Sequence, residues 1–176
     1  MNILILNGSP RQGGNTEILA KTFAETAEQN GHSVQIINAY DIQVAPCLAC
    51  THCLNIEKGI CIQKDSMEMI RPLFDAAEVI VFASPIYFFT ISAQLKCVID
   101  RFYAANKVGI GFKKSALLLD SHSPNVFDSA IAMFHGINRY LKWESLGIVT
   151  LDGMTAKGSA SNDPRLEEIR NIAASL

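Results

Sequence analysis

Short, uniformly apolar runs alternate along this chain with longer stretches whose apolar positions recur every three or four residues. Ile3-Leu4-Ile5-Leu6 reads as a buried strand, and Ile18, Leu19, Thr22, Phe23 and Thr26 then share one face of a helix that begins at about Asn15 and ends at Asn30-Gly31. Val34-Gln35-Ile36-Ile37 reads as a second strand, Val79-Ile80-Val81-Phe82-Ala83 as a third, Ala116-Leu117-Leu118-Leu119 as a fourth and Leu146-Gly147-Ile148-Val149 as a fifth. Leu95, Ile99 and Phe102 mark a helix face between the third and fourth strands, and Val126, Ala130, Ile131, Phe134, Ile137 and Leu141 mark another between the fourth and fifth. Met67 to Phe74 is also patterned as a helix, which Pro72 is expected to kink or shorten. Asp163-Pro164 opens a last helix with proline at its first position and Leu166, Ile169 and Ile172 inward, after a loop over 152–162 rich in small and polar residues.

Strands apolar on both faces, each followed by an amphipathic helix, call for an α/β fold in three layers, a parallel sheet with helices on both faces. Such sheets bind ligands beyond the carboxyl ends of their strands, where the strand order reverses. With 176 residues, 49% of them hydrophobic, the chain can fill the core of one domain, and a single domain over 1–176 is expected. A net charge of -2 without a basic stripe argues against nucleic acid or an anionic membrane as partner. No apolar run approaches the ~20 residues that span a bilayer, and the chain opens into a strand without a charged leader, so a cytoplasmic location is expected.

The chemistry concentrates in the loops that follow strands. Gly8-Ser9-Pro10-Arg11-Gln12-Gly13-Gly14-Asn15-Thr16 joins the first strand to the first helix. The free N–H groups of that first helical turn, the positive end of its dipole, and the hydroxyls of Ser9 and Thr16 can face one anionic group, with Arg11 adding a charge-assisted bond. No lysine follows Gly14, so the triphosphate-binding loop is excluded, and Pro10 breaks the dinucleotide glycine pattern. A cradle for one terminal phosphate remains, beside the plainer reading of a tight turn in which Asn15 or Thr16 caps the helix. Ser84-Pro85-Ile86-Tyr87-Phe88-Phe89-Thr90 follows the third strand and Asp120-Ser121-His122-Ser123-Pro124-Asn125 the fourth. Aromatic residues directly after a buried strand suit a flat aromatic ligand, though they also serve to cover a core or a subunit contact.

Gly8-Ser9-Pro10-Arg11 with Gly14-Asn15-Thr16, then Ser84-Pro85-Ile86-Tyr87, Ser92-Ala93-Gln94-Leu95-Lys96 and Ile99-Asp100-Arg101-Phe102, resembles the NADPH-dependent FMN reductase family over roughly residues 1–150. That resemblance implies a flavodoxin-like fold with a five-stranded parallel sheet in the order 2-1-3-4-5. It implies FMN as cofactor, with Ser9, Arg11, Asn15 and Thr16 on its phosphate, Pro85, Ile86, Tyr87 and Phe88 along its isoalloxazine, and Ser121 at the ring edge or ribityl chain. NADPH or NADH would be the electron donor, and a flavin, quinone, other small molecule or redox protein the acceptor. The family also implies a homodimer or homotetramer. Lys96, Asp100 and Arg101 are expected to form ion pairs that orient the preceding loop.

Cys47, Cys50 and Cys53, followed by Cys61, lie in an insert at about 44–64. In a reducing compartment such a group points to metal or redox chemistry rather than a disulfide frame. The Cys-x2-Cys-x2-Cys run resembles the loop that wraps an iron–sulfur cube, and with Cys61 it is similar to the compact motif of the iron–sulfur flavoproteins, a branch of the same family. A [4Fe–4S] cluster on these four cysteines is the expectation; a zinc site, a redox dithiol and an empty loop are the alternatives. Cys97 is expected to be a small buried apolar residue, and His52 to stay outside the ligand set. No arginine stands six positions after Cys47 or Cys97, and no Gly-x-Ser-x-Gly is present, which sets aside cysteine phosphatases and serine hydrolases. The function expected is an FMN-dependent NAD(P)H oxidoreductase. Its rivals are a non-enzymatic flavin and iron–sulfur carrier reduced by ferredoxin, and a zinc-stabilised interaction surface.

Overall fold

In the computed structural model, which describes residues 1–176, five strands form one sheet in the order β2-β1-β3-β4-β5, every neighbouring pair parallel. The strands are β1 (Asn2–Asn7), β2 (Ser33–Asn38), β3 (Val79–Pro85), β4 (Lys114–Asp120) and β5 (Glu144–Leu151). The helices are α1 (Asn15–Gln29), α2 (His52–Asn55), α3 (Met67–Ala76), α4 (Ala93–Asn106), α5 (Asp128–Leu141) and α6 (Leu166–Ala174). Each strand predicted from an apolar run is present and extends one or two residues beyond it at one end or both, because polar end residues still join the ladder. Pro85, for example, pairs in register with Asp120 at the carboxyl edge.

Alternating residues of the central strands enter two separate cores. Ile3 and Ile5 of β1, with Val79, Val81, Ala116 and Leu118, pack beneath α1 and α6. Leu4, Leu6, Ile80, Phe82, Leu117 and Leu119 pack beneath α3, α4 and α5. This two-sided burial is why the strands read as continuous apolar runs rather than alternating ones. An aromatic group anchors the second core: Phe74 meets Phe102 edge-on at 4.9 Å, and Phe112 meets Trp143 at 4.8 Å. Such pairs add about 0.5–1.5 kcal/mol each beyond the area they bury.

Pro72 lies inside α3, and the helix runs on to Ala76 instead of stopping. The proline is on the exposed side with Glu68, whose carbonyl loses its donor there, while Met67, Ile70 and Phe74 hold the other side in the core. Burial of three large side chains outweighs the one bond lost. Pro164, expected at the first helical position, instead falls outside regular helix: α6 begins two residues later, after a turn in which the Asp163 carboxylate accepts from the Arg165 N–H at 2.9 Å. No helix is long and apolar enough to cross a membrane.

Candidate functional site

At the carboxyl edge, between the ends of β1, β3 and β4, the connecting loops enclose a cavity of about 270 Å³. Its floor is the β1–α1 loop. Gly8 N–H bonds to the Ala83 carbonyl at 2.8 Å, which ties this loop to β3. A Cβ on Gly8 would stand 2.5 Å from Ser92 Oγ and 3.0 Å from Leu95 Cβ, so only glycine permits this approach to α4. The chain then folds back on itself: Ser9 N–H donates to Asn7 Oδ1 at 3.0 Å, Arg11 N–H to Ser9 Oγ at 3.2 Å, and Gly14 N–H to the Arg11 carbonyl at 3.0 Å.

α1 starts at this floor without a cap. Its N-cap is Gly14, which offers no side chain, and Ile18 is the first residue bonded back into the helix, to the Gly14 carbonyl at 3.2 Å. The N–H groups of Asn15, Thr16 and Glu17 therefore have no intrahelical acceptor. Neither Asn15 nor Thr16 caps the helix. The Asn15 amide is spent on the β5–α6 loop, donating to the Ala156 carbonyl at 3.0 Å and accepting from the Ala160 N–H at 3.1 Å. Thr16 donates its hydroxyl proton to the Asp120 carboxylate. The Ser9 hydroxyl proton, the Arg11 guanidinium and the bare helix N–H groups remain for a ligand, and Lys157 and His122 line the same cavity.

Asp120 is the one acid among these donors. It is buried at the last position of β4, and burial pushes its carboxyl above the ordinary carboxylate range against the opposing pull of the Thr16 hydroxyl and the Arg11 charge. Pro85, Ile86, Tyr87 and Met154 form the more apolar part of the cavity wall, and Ser121 lines it as well. The wall is braced from below: Ser84 Oγ accepts from Ser92 N–H at 3.0 Å, and Ser92 Oγ caps α4 by accepting from Leu95 N–H at 3.4 Å.

Phe88 is outside the cavity wall and 96% exposed. With Phe89 it forms the tip of a two-residue turn closed by Tyr87 N–H to the Thr90 carbonyl at 2.8 Å. Both tip residues have left-handed backbone, φ 47° and 72°, a conformation that costs roughly 1–2 kcal/mol per residue when a side chain is present.

The four cysteines of the 44–64 insert share a second cavity, of about 380 Å³, floored by Asp100, Arg101, Tyr103 and Ala104 of α4. Cys47 and Cys50 are exposed, Cys53 and Cys61 half-buried. The thiol of Cys53 is raised by its burial and then by Cys61, Cys47 and Cys50, so the four sulfurs are close enough to feel one another. They do not converge on a point: no three His, Cys, Asp or Glu side chains are grouped to hold a single metal ion. Ala49 and Thr51 take left-handed backbone, φ 52° and 60°, and Ala49 N–H turns onto Cys47 Sγ at 3.4 Å. His52 is held by Glu57 at 3.0 Å and stays off the cavity wall. Cys97 is half-buried on α4, apart from the other four.

The family model of NADPH-dependent FMN reductases matches residues 1–141. The chain belongs to that family. Among curated relatives, an iron-sulfur flavoprotein of Methanocaldococcus jannaschii is 34% identical over 116 residues, 62% of this chain and 59% of the relative. An iron-sulfur flavoprotein of Methanosarcina thermophila is 34% identical over 117 residues, covering 62% of this chain and 60% of its own length. The chain thus spans about three fifths of these relatives. An azoreductase of Bacillus anthracis superposes with a TM-score of 0.77 at 18% identity over 100% of both chains. An NAD(P)H:quinone oxidoreductase of Methanothermobacter marburgensis gives 0.76 at 14% identity over 99% and 98%. Both share the flavodoxin-like fold of this FMN reductase family member.

Of the residues singled out in the sequence, Ser9, Arg11, Asn15, Thr16, Pro85, Ile86, Tyr87 and Ser121 all reach the first cavity, and Cys47, Cys50, Cys53 and Cys61 all reach the second. Asp120 and Lys157 were missed. Asp120 was visible as the last residue of a strand that ends at a ligand edge, whereas Lys157 comes from a loop with no local motif and enters only through the fold. Arg101 does form an ion pair, but with Asp65 of the cysteine insert rather than within the loop before α4.

Proposed function

We propose that this chain binds FMN with the phosphate at the N-terminus of α1 and the isoalloxazine against Pro85, Ile86 and Tyr87. It would then carry reducing equivalents from NADPH or NADH to a flavin, quinone, other small acceptor or redox protein. One observation carries the reading: an uncapped helix N-terminus opens into a cavity that Pro85, Ile86 and Tyr87 also line, at the point where the strand order reverses. FMN has a dianionic end and a flat apolar end, and the helix end and the apolar lining match them. Membership of the FMN reductase family supports the same assignment.

When bound, FMN supplies the ring that accepts a hydride and returns electrons singly or in pairs. The chain's own residues bind and orient. Arg11, the Ser9 hydroxyl and the N–H groups of Asn15 and Thr16 hold the phosphate, Ser121 meets the ribityl or ring edge, and Tyr87 with Pro85 and Ile86 excludes water from one ring face. Phe88 and Phe89, exposed at the tip of the next turn, stand where a donor, an acceptor or a second copy approaches. We extend the proposal to Cys47, Cys50, Cys53 and Cys61 as ligands of a [4Fe–4S] cluster, which would supply one-electron capacity. The four thiols on one cavity support this, as do relatives named iron-sulfur flavoproteins. The exposed side chains of Leu48, Ile56, Ile60 and Ile62 around that cavity, with Phe88 and Phe89, favour a homodimer or homotetramer of a one-domain protein.

Fluorescence titration with FMN and with riboflavin tests the cradle. FMN should quench saturably and bind at least tenfold more tightly than riboflavin. Arg11→Ala should cost FMN about 1.5–3 kcal/mol, the worth of a hydrogen bond to a charged group, and leave riboflavin unchanged. Equal affinities for the two flavins would exclude the phosphate site. Stopped-flow mixing of the FMN-loaded protein with NADPH then separates enzyme from carrier: rapid bleaching supports the reductase, and none within minutes supports a relay loaded by a ferredoxin-like protein.

A further inference from the structure

Arg101 lies in the middle of α4 and is 2% exposed, an unusual place for a guanidinium unless it is held on several sides. Its Nη1 donates to Asp65 Oδ2 at 2.8 Å and to the Ala45 carbonyl at 3.0 Å, and its Nη2 to Asp65 Oδ1 at 3.3 Å. Asp65 also accepts the N–H groups of Ala45 and Met67, each at 3.0 Å. One buried ion pair therefore joins the start of the cysteine insert to its end and fastens both to α4.

One nitrogen of this arginine makes no bond. Nε–H is sealed from solvent and has no partner. An unsatisfied buried donor is costly, so its neighbour matters. Cys61 stands beside the guanidinium and shares with it the walls of the cysteine cavity and of an adjoining hollow of about 230 Å³. A thiol is a weak acceptor; a metal-bound thiolate carries charge and accepts well. Cys47 already receives an N–H from within its own loop, whereas Cys61 is reached from a different element.

We propose that Arg101 is the positioning residue of the cysteine site: it clasps residues 45–65 onto α4 and keeps its Nε–H for the sulfur of Cys61. This rests on reading the four cysteines as cluster ligands. The clasp presents Cys61 before a metal arrives, and the hydrogen bond stabilises the more negative, reduced state of the loaded site, because bonds to ligand sulfurs raise a cluster's reduction potential.

Arg101→Lys keeps a positive charge on a flexible stem and removes both the fork and the Nε–H. Wild type and variant are reconstituted anaerobically with iron and sulfide, analysed for iron, and titrated electrochemically with the cluster followed by electron paramagnetic resonance and the bound FMN by absorbance. Arg101→Lys should load less iron, and the cluster that does form should have a more negative midpoint, with the FMN midpoint unmoved. Asp65→Asn, which loosens the clasp but leaves the Nε–H, should lower loading without moving the midpoint. Equal loading and equal midpoints in wild type and Arg101→Lys overturn the proposal, and an Asp65→Asn midpoint shifted as far as that of Arg101→Lys overturns its hydrogen-bond half. A wild type that takes up no iron or sulfide removes the cluster reading instead. The clasp is then decided on metal-free protein by the rate at which iodoacetamide alkylates Cys61, mapped by mass spectrometry. A severalfold faster rate in Arg101→Lys supports the clasp, and an unchanged rate refutes it.

Discussion

A single carboxyl group gives the phosphate cradle its character. Asp120 faces the same cavity as Arg11 and Lys157, and it holds the hydroxyl proton of Thr16 that a phosphate would otherwise receive. While Asp120 is ionised it repels a phosphate dianion. Once protonated it can donate to Thr16 and release the threonine proton toward the ligand. Its carboxyl is already raised by burial, and a nearby dianion raises it further, so FMN binding should take up a proton and weaken as pH rises through that titration. Asp120→Asn keeps an acceptor for Thr16 and removes the charge. It should tighten FMN by about tenfold, ~1.4 kcal/mol, at neutral pH and flatten the pH dependence, both read from titrations across pH. Riboflavin, without the phosphate, should show neither effect. The same group bears on stability. The folded state binds the Asp120 proton more strongly than the unfolded chain, so its contribution falls as pH climbs from the ordinary carboxylate value to the raised one and is constant above it.

Two connecting elements show where backbone and burial were set by something other than the fold. In the turn after β3, Phe88 and Phe89 occupy left-handed positions that glycine or asparagine fills without strain, and neither side chain is buried. Strain without compensating burial points to a task at the surface. Phe88→Gly should raise stability by about 1 kcal/mol in urea unfolding, and if the aromatic turn serves the flavin's exposed face it should slow reduction by NADPH. The cysteine insert depends on Asp65, whose carboxyl burial would raise but which hydrogen bonds from Arg101 and from the Ala45 and Met67 N–H groups hold below its ordinary value. That contribution is present above the ordinary carboxylate pKa and is lost as pH falls through the lowered one. Pepsin should therefore begin to cut within 44–64 as the medium is acidified past that point, while the sheet stays intact by circular dichroism. Removing the partner outright, as Asp65→Ala, should cost about 3 kcal/mol, at the lower end for a buried pair because Asp65 keeps some exposure.

These elements also show what was legible in the chain itself. Uniform apolar runs such as Val79–Ala83 read as strands buried on both faces, so a parallel sheet and its ligand edge followed from them, the strand order came from the family resemblance, and the glycine and hydroxyl run from Gly8 to Thr16 marked the cradle. Pro72 misled because local chain chemistry was weighed without the anchoring of Met67, Ile70 and Phe74 in the core. Asp65 and Lys157 were not legible, and Arg101 was legible as an ion-pairing residue but not its partner Asp65, because each acquires its role from residues far away in sequence.

At the scale of the molecule the two candidate redox sites meet the same helix at opposite ends: Ser92 at the start of α4 braces the first cavity, and Asp100 to Ala104 near its end floor the second. The phosphate cradle is the N-terminus of α1, which packs with α6 on one face of the sheet, while the cysteine insert is clasped to α4 on the other. No residue lines both cavities. Each core is continuous beneath its own helices, and β1, β3 and β4 separate the two. Coupling between distant sites needs an element with two arrangements that both sites bias, and α4, which touches both, is pinned by Leu95, Val98, Ile99 and Phe102 in a close-packed core. The sites should then be independent in binding although linked in electron flow. Replacing Cys47, Cys50 and Cys53 together by serine should abolish iron uptake, leave the FMN dissociation constant within twofold of wild type, and leave the rise in melting temperature on adding FMN unchanged, since that rise follows only ligand concentration and affinity. Titrating FMN into the triple variant by fluorescence is the measurement. A tenfold loss of affinity, ~1.4 kcal/mol, would mean that the cysteine segment shapes the flavin cavity after all.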